Sequence, residues 1–157
     1  MRKSVILLVL LCVSCVVAFQ SSSDFVGNED PIKQAVLKVH QQMTDAGLDV
    51  DRFFDCILDF DTGMIIQDGI LFKTRKQAYD TVKRGYENVS SVERTYDQTF
   101  VTVISSDTSL LTGTGVTKIT LTDGRTFDSA FAVSMVFVLR DGQWKMLQGH
   151  YSVPNPR

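Results

Sequence analysis

Residues 126–153 read TFDSAFAVSMVFVLRDGQWKMLQGHYSV, which is two strand-like runs joined by a short polar turn. The dipeptide Asp141-Gly142 between apolar runs is the strongest short-range signal for a β-hairpin. Both alternation phases of Ala130–Arg140 are apolar, as is typical of a strand that is covered on both faces. We therefore expect this hairpin to form the floor of the fold.

The returning strand of the hairpin places one titratable side chain among polar and apolar neighbours. Alternate positions are held by Trp144, Met146, Gln148, His150 and Ser152, so we expect all five to face the same side of the strand. A histidine at such a position can bind a ligand or transfer a proton, because its pKa lies near neutrality. The alternative interpretation is a hydrogen-bonded structural residue that closes the sheet.

The first 18 residues have the pattern of a secretory signal peptide. Arg2 and Lys3 precede the apolar run 5–17, which is shorter than the ~20 residues that a membrane-spanning helix needs. Val16 and Ala18 supply small residues at the positions before a cleavage site, so cleavage after Ala18 is predicted. The expected location is secreted or periplasmic.

A lipid anchor on Cys15 is the alternative, since a Leu-rich run followed by Ser14-Cys15 resembles a bacterial lipoprotein signal. Cys12 stands where such signals usually carry leucine, and residues 16–19 are unusually apolar for a lipoprotein tether. Conventional secretion is therefore the favoured prediction. Membrane contact is expected only if Cys15 is lipidated.

Composition and charge indicate one ordinary globular domain. The chain is 44% hydrophobic and 22% charged, which is enough apolar material for a core. Removing residues 1–18 leaves 14 basic and 18 acidic residues, and this net charge of −4 argues against a nucleic-acid partner. Cys56 is then the only cysteine, so an intramolecular disulfide is excluded. We expect Cys56 to be a small buried side chain rather than a reactive thiol.

After the signal peptide, the chain divides into a polar tether at 19–29 and a folded domain at 30–157. Apolar periodicity predicts helices over 30–46, 50–58 and 74–86, with Asp30 as the N-cap of the first. Strands are predicted at 64–66, 70–72, 92–104 and 109–121, ahead of the long hairpin. Helices grouped on one side of a curved antiparallel sheet of four to six strands make an α+β domain.

This order of elements resembles the nuclear transport factor 2-like superfamily, whose members fold as a cone. The similarity covers roughly residues 31–154. Its most specific part is Arg140–Met146 followed by His150–Pro154, which is similar to SnoaL-like domains and to the association domain of calmodulin-dependent kinase. The resemblance implies a curved sheet wrapped round three helices, with a pocket that relatives use for different purposes.

The resemblance also implies positions for functional groups. In the isomerase branch a general-base aspartate lies close to the position of Asp68, although Asp68-Gly69 is equally typical of a solvated turn. The helix-one tyrosine of those enzymes has no counterpart, because His40-Gln41-Gln42 occupies that stretch. Kinase association domains use pocket arginines for carboxylates, and the central strand here presents Ser134 and Met135 instead.

No residue pattern predicts a metal or cofactor site. His40 and His150 are far apart in sequence, and His40 is expected at the boundary of the apolar stripe of the first helix. The sequence contains neither a nucleotide-binding fingerprint nor a nucleophile elbow. We therefore expect no cofactor and no metal.

Two hypotheses for function follow from these residues. The first is a non-catalytic binding protein whose pocket holds a small apolar ligand, with these predicted contact residues: His150, Gln148, Tyr79, Ser134 and Trp144. The second is a small-molecule lyase, cyclase or isomerase, with His150 or Asp68 as general acid or base.

A homodimer is expected through the sheet face that the helices leave uncovered. Ala130–Leu139 is apolar on both faces, and the three predicted helices can cover only one. An exposed apolar patch of roughly several hundred Å² is more than a monomer usually tolerates, and twofold dimers are the commonest closed assembly. A dimeric assembly or interaction module is therefore a third interpretation.

Overall fold

The computed structural model describes residues 28–59 and 65–154. Within these residues three helices and six strands form an α+β domain, as the sequence predicts. The elements are α1 (Asp30–Asp45), α2 (Val50–Asp55), β1 (Ile65–Gln67), β2 (Ile70–Phe72), α3 (Arg75–Gly85), β3 (Val89–Ser105), β4 (Thr108–Leu121), β5 (Thr126–Arg140) and β6 (Gln143–Ser152). No helix in this part of the chain is long and apolar enough to cross a membrane. The predicted signal peptide, Cys15 and most of the tether lie outside the described residues.

Local side-chain chemistry sets the helix ends. Thr74 caps α3 by accepting a hydrogen bond from the Gln77 amide at 3.1 Å, and this satisfies one free amide of the first turn. Gly47 follows α1 with φ = 55°, which glycine adopts without steric cost. The predicted N-cap of α1 is wrong by one residue, because Glu29 is the N-cap and Asp30 lies inside the first turn.

The strands form one sheet in the order β2-β1-β6-β5-β4-β3. Neighbouring strands are antiparallel except β1 and β6, which are parallel. The expectation of a fully antiparallel sheet is corrected in this respect. A parallel pair needs a long crossover connection, and the chain between β1 and β6 supplies one.

Two Asp-Gly dipeptides turn the chain at its predicted hairpins. Asp141 and Gly142 have φ values of 51° and 74°, and Asp68 and Gly69 have values of 51° and 82°. Positive φ at both central residues defines a type I′ turn, whose twist matches that of the flanking strands. Both predicted hairpins are confirmed.

The helices cover one face of the sheet, which we call the inner face, and the core lies between these two layers. The largest fully buried hydrophobic side chains come from both layers: Phe54, Phe137, Ile57, Leu111, Met135, Met146 and Val36. Full burial of one large apolar side chain is worth about 1.5–3 kcal/mol. This packing holds the helices against the sheet.

A one-residue bulge at Leu147 changes which side chains of β6 face inward. Val136 lies opposite Gln148, whereas Phe137 lies opposite Met146, so Leu147 has no partner on β5. Side chains alternate between the two faces of a strand, and one extra residue therefore inverts the alternation beyond it.

The bulge separates side chains that an uninterrupted strand places together. Trp144 and Met146 lie on the inner face. The register places three others on the opposite, outer face: Gln148, His150 and Ser152. The prediction that all five share one face is wrong, because the alternation is interrupted at Leu147.

Candidate functional site

Polar and aromatic side chains gather on the inner face where the end of α3 meets β3. Tyr86 forms the C-cap of α3, Arg94 and Tyr96 stand two residues apart on β3, and Tyr151 lies on β6. We call Tyr86, Arg94, Tyr96 and Tyr151 the tyrosine–arginine cluster. His40 of α1 packs against it through Tyr96.

The Arg94 guanidinium has one satisfied and one unsatisfied end. Its Nη2 atom donates a hydrogen bond to Tyr86 Oη at 2.7 Å. Its Nη1 atom is buried and has no hydrogen-bond partner among the described residues. Arginine stays charged at any pH of interest, so this end is a fixed cation able to bind an anionic oxygen.

Tyr96 contacts two other rings edge to face. Its centroid lies 4.4 Å from that of His40 and 5.1 Å from that of Phe131, with interplanar angles of 76° and 77°. Gly115 of β4 pairs with both Tyr96 and Phe131. A Cβ atom there would overlap the Thr95 carbonyl oxygen and lie 2.8 Å from Phe131 Cζ. Glycine is therefore required where these rings lie against the sheet.

His40 lies in the buried stripe of α1. The buried residues of this helix are Val36, His40 and Met43, at helical spacing, and His40 is only 6% exposed. The expectation of a boundary position is therefore wrong. Burial lowers the pKa of His40, because the imidazolium loses its hydration. Its Nε2 atom is buried without a hydrogen-bond partner in the described chain.

Two phenols of the cluster stay protonated at neutral pH. Burial raises the pKa of Tyr96 to about 12. Burial also raises the pKa of Tyr151, with neighbouring Tyr96 and Tyr86 adding to the effect and Arg94 opposing it. These hydroxyl groups can therefore donate hydrogen bonds to a ligand.

A groove of about 490 Å³ between α1 and β3 reaches the cluster. Its walls contain His40, Arg94 and Tyr96, together with these neighbours: Leu37, Gln41, Thr44, Thr95 and Thr99. Arg94 is the only charged side chain among these lining residues. The fixed cation of Arg94, the protonated phenol of Tyr96 and the neutral imidazole of His40 are together suited to a ligand that carries an anionic oxygen.

A second groove, of about 600 Å³, lies between α1, α2 and the β5–β6 turn. Trp144 lines it beside three basic side chains: Lys38, Arg52 and Lys145. Cys56 also lines this groove. The pKa of its thiol is raised mainly by burial and further by the negative charge of the nearby Asp55. Cys56 is half-buried, so the expectation of a buried side chain is corrected, and its lack of reactivity stays a prediction.

The residues predicted to bind a ligand do not lie together. The outer face carries His150, Gln148 and Ser134, and His150 is exposed. Tyr79 lies on α3, where its Oη donates a hydrogen bond to Asp51 Oδ1 at 2.8 Å. Trp144 is in the second groove. A single pocket formed by all five is incompatible with these positions, and contact of any one of them with a ligand stays a prediction.

Asp68, the other predicted catalytic residue, is exposed in the β1–β2 turn. Its Oδ1 atom accepts a hydrogen bond from the Val153 amide at 3.1 Å, and its own amide donates to the Tyr151 carbonyl oxygen at 3.2 Å. The interpretation of Asp68-Gly69 as a turn is confirmed. The side chain ties the β1–β2 hairpin to the end of β6.

The cluster was not found by sequence reasoning, although one part of it has a signal. Arg94 and Tyr96 alternate in phase with buried Val92 on β3, which predicts an inward direction for both. Tyr86 precedes β3 by only three residues and is local to this strand, whereas Tyr151 is distant in sequence and no local pattern connects it with β3.

The SnoaL-like domain family matches residues 32–156, so the chain belongs to this family. A nuclear transport factor 2-like protein from Salmonella enterica serovar Typhimurium aligns with a TM-score of 0.72 at 13% identity, over 81% of this chain and 94% of that chain. A hexachlorocyclohexane dehydrochlorinase aligns at 0.68 and 14% identity, over 81% of this chain and 88% of that chain. The association domain of C. elegans CaMKII aligns at 0.62 and 20% identity, over 79% of this chain and 97% of that chain.

These likenesses confirm the predicted cone fold, and at such identities they show the fold alone. No curated protein sequence is significantly similar to this chain.

Because His40 is buried in its neutral form, acid should destabilise the fold through this residue. Its pKa in the folded protein lies below the ordinary value of about 6.5. Below about pH 6.5 this histidine binds a proton in the unfolded chain but not in the folded chain, so the free energy of unfolding falls as the pH falls. At pH values well above 6.5 the histidine is neutral in both states and this loss of stability is absent.

We expect the melting temperature to fall from about pH 7 to about pH 5 in the wild type and in His150→Gln, and to fall less in His40→Gln. Differential scanning calorimetry across this range makes the measurement. The same pH dependence in all three proteins would contradict a buried neutral His40.

Proposed function

We propose that this protein binds a small, largely apolar molecule with one anionic oxygen, and that Arg94 holds this oxygen on the inner face. The observation that carries the proposal is the Arg94 guanidinium, whose Nη2 donates a hydrogen bond to Tyr86 Oη and whose buried Nη1 has no partner in residues 28–59 and 65–154. A buried unpaired donor costs about 1–3 kcal/mol. An anionic oxygen at Nη1 would remove this cost and form a charge-assisted hydrogen bond.

The surroundings of Arg94 favour an apolar body for the rest of the ligand. Tyr96 and Tyr151 pack against the hydrophobic core, and Leu37 contributes to the groove wall. Small-molecule sites typically combine apolar walls with a few convergent polar groups. The proposed ligand is still a small, largely apolar molecule, as the sequence predicts. Its proposed contacts are now Arg94 and its neighbours instead of His150 and Gln148.

A lyase, cyclase or isomerase is the second candidate function. The observation in its favour is the neutral imidazole of His40 in the same groove as Arg94, because a base beside an oxyanion-binding group suits proton transfer. The dehydrochlorinase neighbour supports only the compatibility of this fold with elimination chemistry. The hypothesis that the protein is non-catalytic stays a prediction.

A panel of aromatic and medium-chain carboxylic acids, each paired with its primary amide, tests the role of Arg94. We expect the wild-type protein to bind some acids at least about tenfold more tightly than their amides by isothermal titration calorimetry, since a charge-assisted hydrogen bond is worth about 1.5–3 kcal/mol. Arg94→Gln should remove this preference.

The matched control is Arg84→Gln, which removes an exposed arginine from the last turn of α3. It should leave the preference for acids unchanged. An Arg94→Gln protein that still prefers acids as the wild type does would refute the proposal.

A homodimer through the outer face is also proposed. This face carries Phe100, which is 61% exposed, with the exposed Ala132 and half-buried Val136. The helices pack on the other face and leave these side chains uncovered. A twofold interface would bury them, because the same patch of both subunits meets itself.

Val136→Asp places a charge within this face and should convert a dimer into a monomer or an aggregate, because burying an unpaired carboxylate is costly. Ile70→Asp is the control, since Ile70 is equally apolar and 59% exposed on β2. Light scattering at micromolar concentration measures the mass. A wild-type protein of monomer mass would show that the dimer does not form.

We further propose secretion with cleavage after Ala18, the lipid anchor on Cys15 being the alternative. Mass spectrometry of the mature N-terminus distinguishes the two. A chain that starts at Phe19 supports cleavage by a conventional signal peptidase, and a diacylated Cys15 refutes it.

A further inference from the structure

We propose that Asn88 is a site of N-linked glycosylation, so that the protein carries a saccharide at the turn between α3 and β3. Asn88, Val89 and Ser90 match the acceptor pattern, in which asparagine stands two residues before a serine or threonine and the residue between them is not proline. The inference rests on the proposed secretion, because this modification is made in the secretory pathway of eukaryotic cells. It is independent of the proposed ligand.

The acceptor pattern occurs at one asparagine of the chain. The sequence contains three asparagines, and the other two lie in Asn28–Asp30 and Asn155–Arg157. The third residue of these two segments is aspartate or arginine, neither of which completes the pattern. A single substitution at Asn88 is therefore enough to test whether the protein is glycosylated.

The fold presents the side chain of Asn88 to solvent. This residue lies in the turn that follows α3, directly before the first residue of β3, and it is exposed. Its backbone is held in place, because its carbonyl oxygen accepts a hydrogen bond from the Thr122 amide at 3.0 Å. The backbone of Asn88 thus belongs to the folded structure while its side chain stays accessible, as is typical of an acceptor asparagine in a surface loop.

The surface around Asn88 has room for a bulky polar group. Gly85 ends α3, and Gly124 belongs to the β4–β5 turn, to which the carbonyl oxygen of Asn88 is hydrogen-bonded. A Cβ atom added at either glycine would meet no other heavy atom within 4 Å, so both positions border open space. Arg84 and Glu87 are exposed beside Asn88 in the sequence. A hydrated saccharide can therefore extend from Asn88 without displacing part of the core.

The hydroxyl of Ser90 indicates when the saccharide would be attached. In the folded protein Ser90 Oγ donates hydrogen bonds to the carbonyl oxygens of Thr120 and Leu121, at 3.1 Å and 3.2 Å. The hydroxyl is part of the acceptor pattern, so it must be free when the pattern is recognised. Because β4 follows β3 along the chain, this hydroxyl has no partner there until β4 has been made. We infer that the transfer precedes the pairing of β3 with β4.

The chemical step is the transfer of an oligosaccharide from a lipid diphosphate donor. The side-chain nitrogen of Asn88 forms a bond to carbon C1 of the first sugar and gives up one proton. The bond between C1 and the diphosphate oxygen breaks, and the lipid diphosphate leaves with the electron pair of that bond. Nothing is oxidised or reduced.

The test is expression of the full chain in cultured insect cells, with its own residues 1–18 as the leader. We expect the wild-type protein in the medium to carry one glycan, which peptide N-glycosidase removes with a matching loss of mass. This enzyme converts the glycosylated asparagine into aspartate. In water enriched in heavy oxygen the new carboxylate is labelled, and mass spectrometry should find the label at Asn88.

Three variants separate the acceptor pattern from its surroundings. Asn88→Gln removes the acceptor and should abolish the glycan, and Ser90→Ala should abolish it although the asparagine is kept. The matched control is Ser91→Ala, which removes the neighbouring serine hydroxyl outside the pattern and should leave the glycan in place. Glycans are measured in the cell lysate as well as in the medium, so a variant that folds poorly still gives a result.

The outcomes distinguish this inference from the proposed secretion. A wild-type protein that reaches the medium without a glycan overturns the inference and leaves the proposed secretion intact. A chain that stays in the cytosol without a glycan refutes both. A glycan that Asn88→Gln retains also overturns the inference, because it is then attached elsewhere.

Discussion

The distribution of side chains over the two faces of β6 depends on one extra residue. Strand alternation is strict, so the bulge at Leu147 fixes the direction of every residue after it. Tyr151 is thereby turned toward the core, and His150 is turned away from it. Without the bulge, Tyr151 would leave the cluster and the histidine would take its place.

The fold could be predicted because its signals are local and strong. The Asp141-Gly142 and Asp68-Gly69 turns, the apolar spacing of α1 and the two-sided apolar pattern of β5 each determine their own element. The parallel pairing of β1 with β6 has no such local signal, because it joins segments that are far apart in the sequence.

The candidate site could be predicted only in part, for physical reasons that differ between residues. His150 and Gln148 were placed by counting alternate positions, and a bulge leaves no reliable mark in a sequence. His40 was placed at the edge of an apolar stripe that runs through Val39, whereas the buried face of α1 includes His40 itself and leaves Val39 half-buried. Arg94 and Tyr86 are only eight residues apart, but whether their side chains meet depends on how the chain turns from α3 into β3.

The cluster also shows how a fold can accommodate groups that weaken it. Within the part of the chain that the structure describes, His40 and Arg94 each have one buried polar atom without a hydrogen-bond partner, in a layer built mainly from apolar contacts. At sites of this kind a sequence departs from the rules that favour stability, and packing of the surrounding core offsets the stability that is lost.

The position of β6 in the sheet has a consequence for how the chain assembles. This strand lies between β1 and β5, yet it follows every other described strand along the chain. During synthesis the β1–β2 hairpin is therefore made long before the strand against which it docks. The two halves of the sheet can join only when β6 inserts between them, so the domain stays incomplete until that strand has emerged.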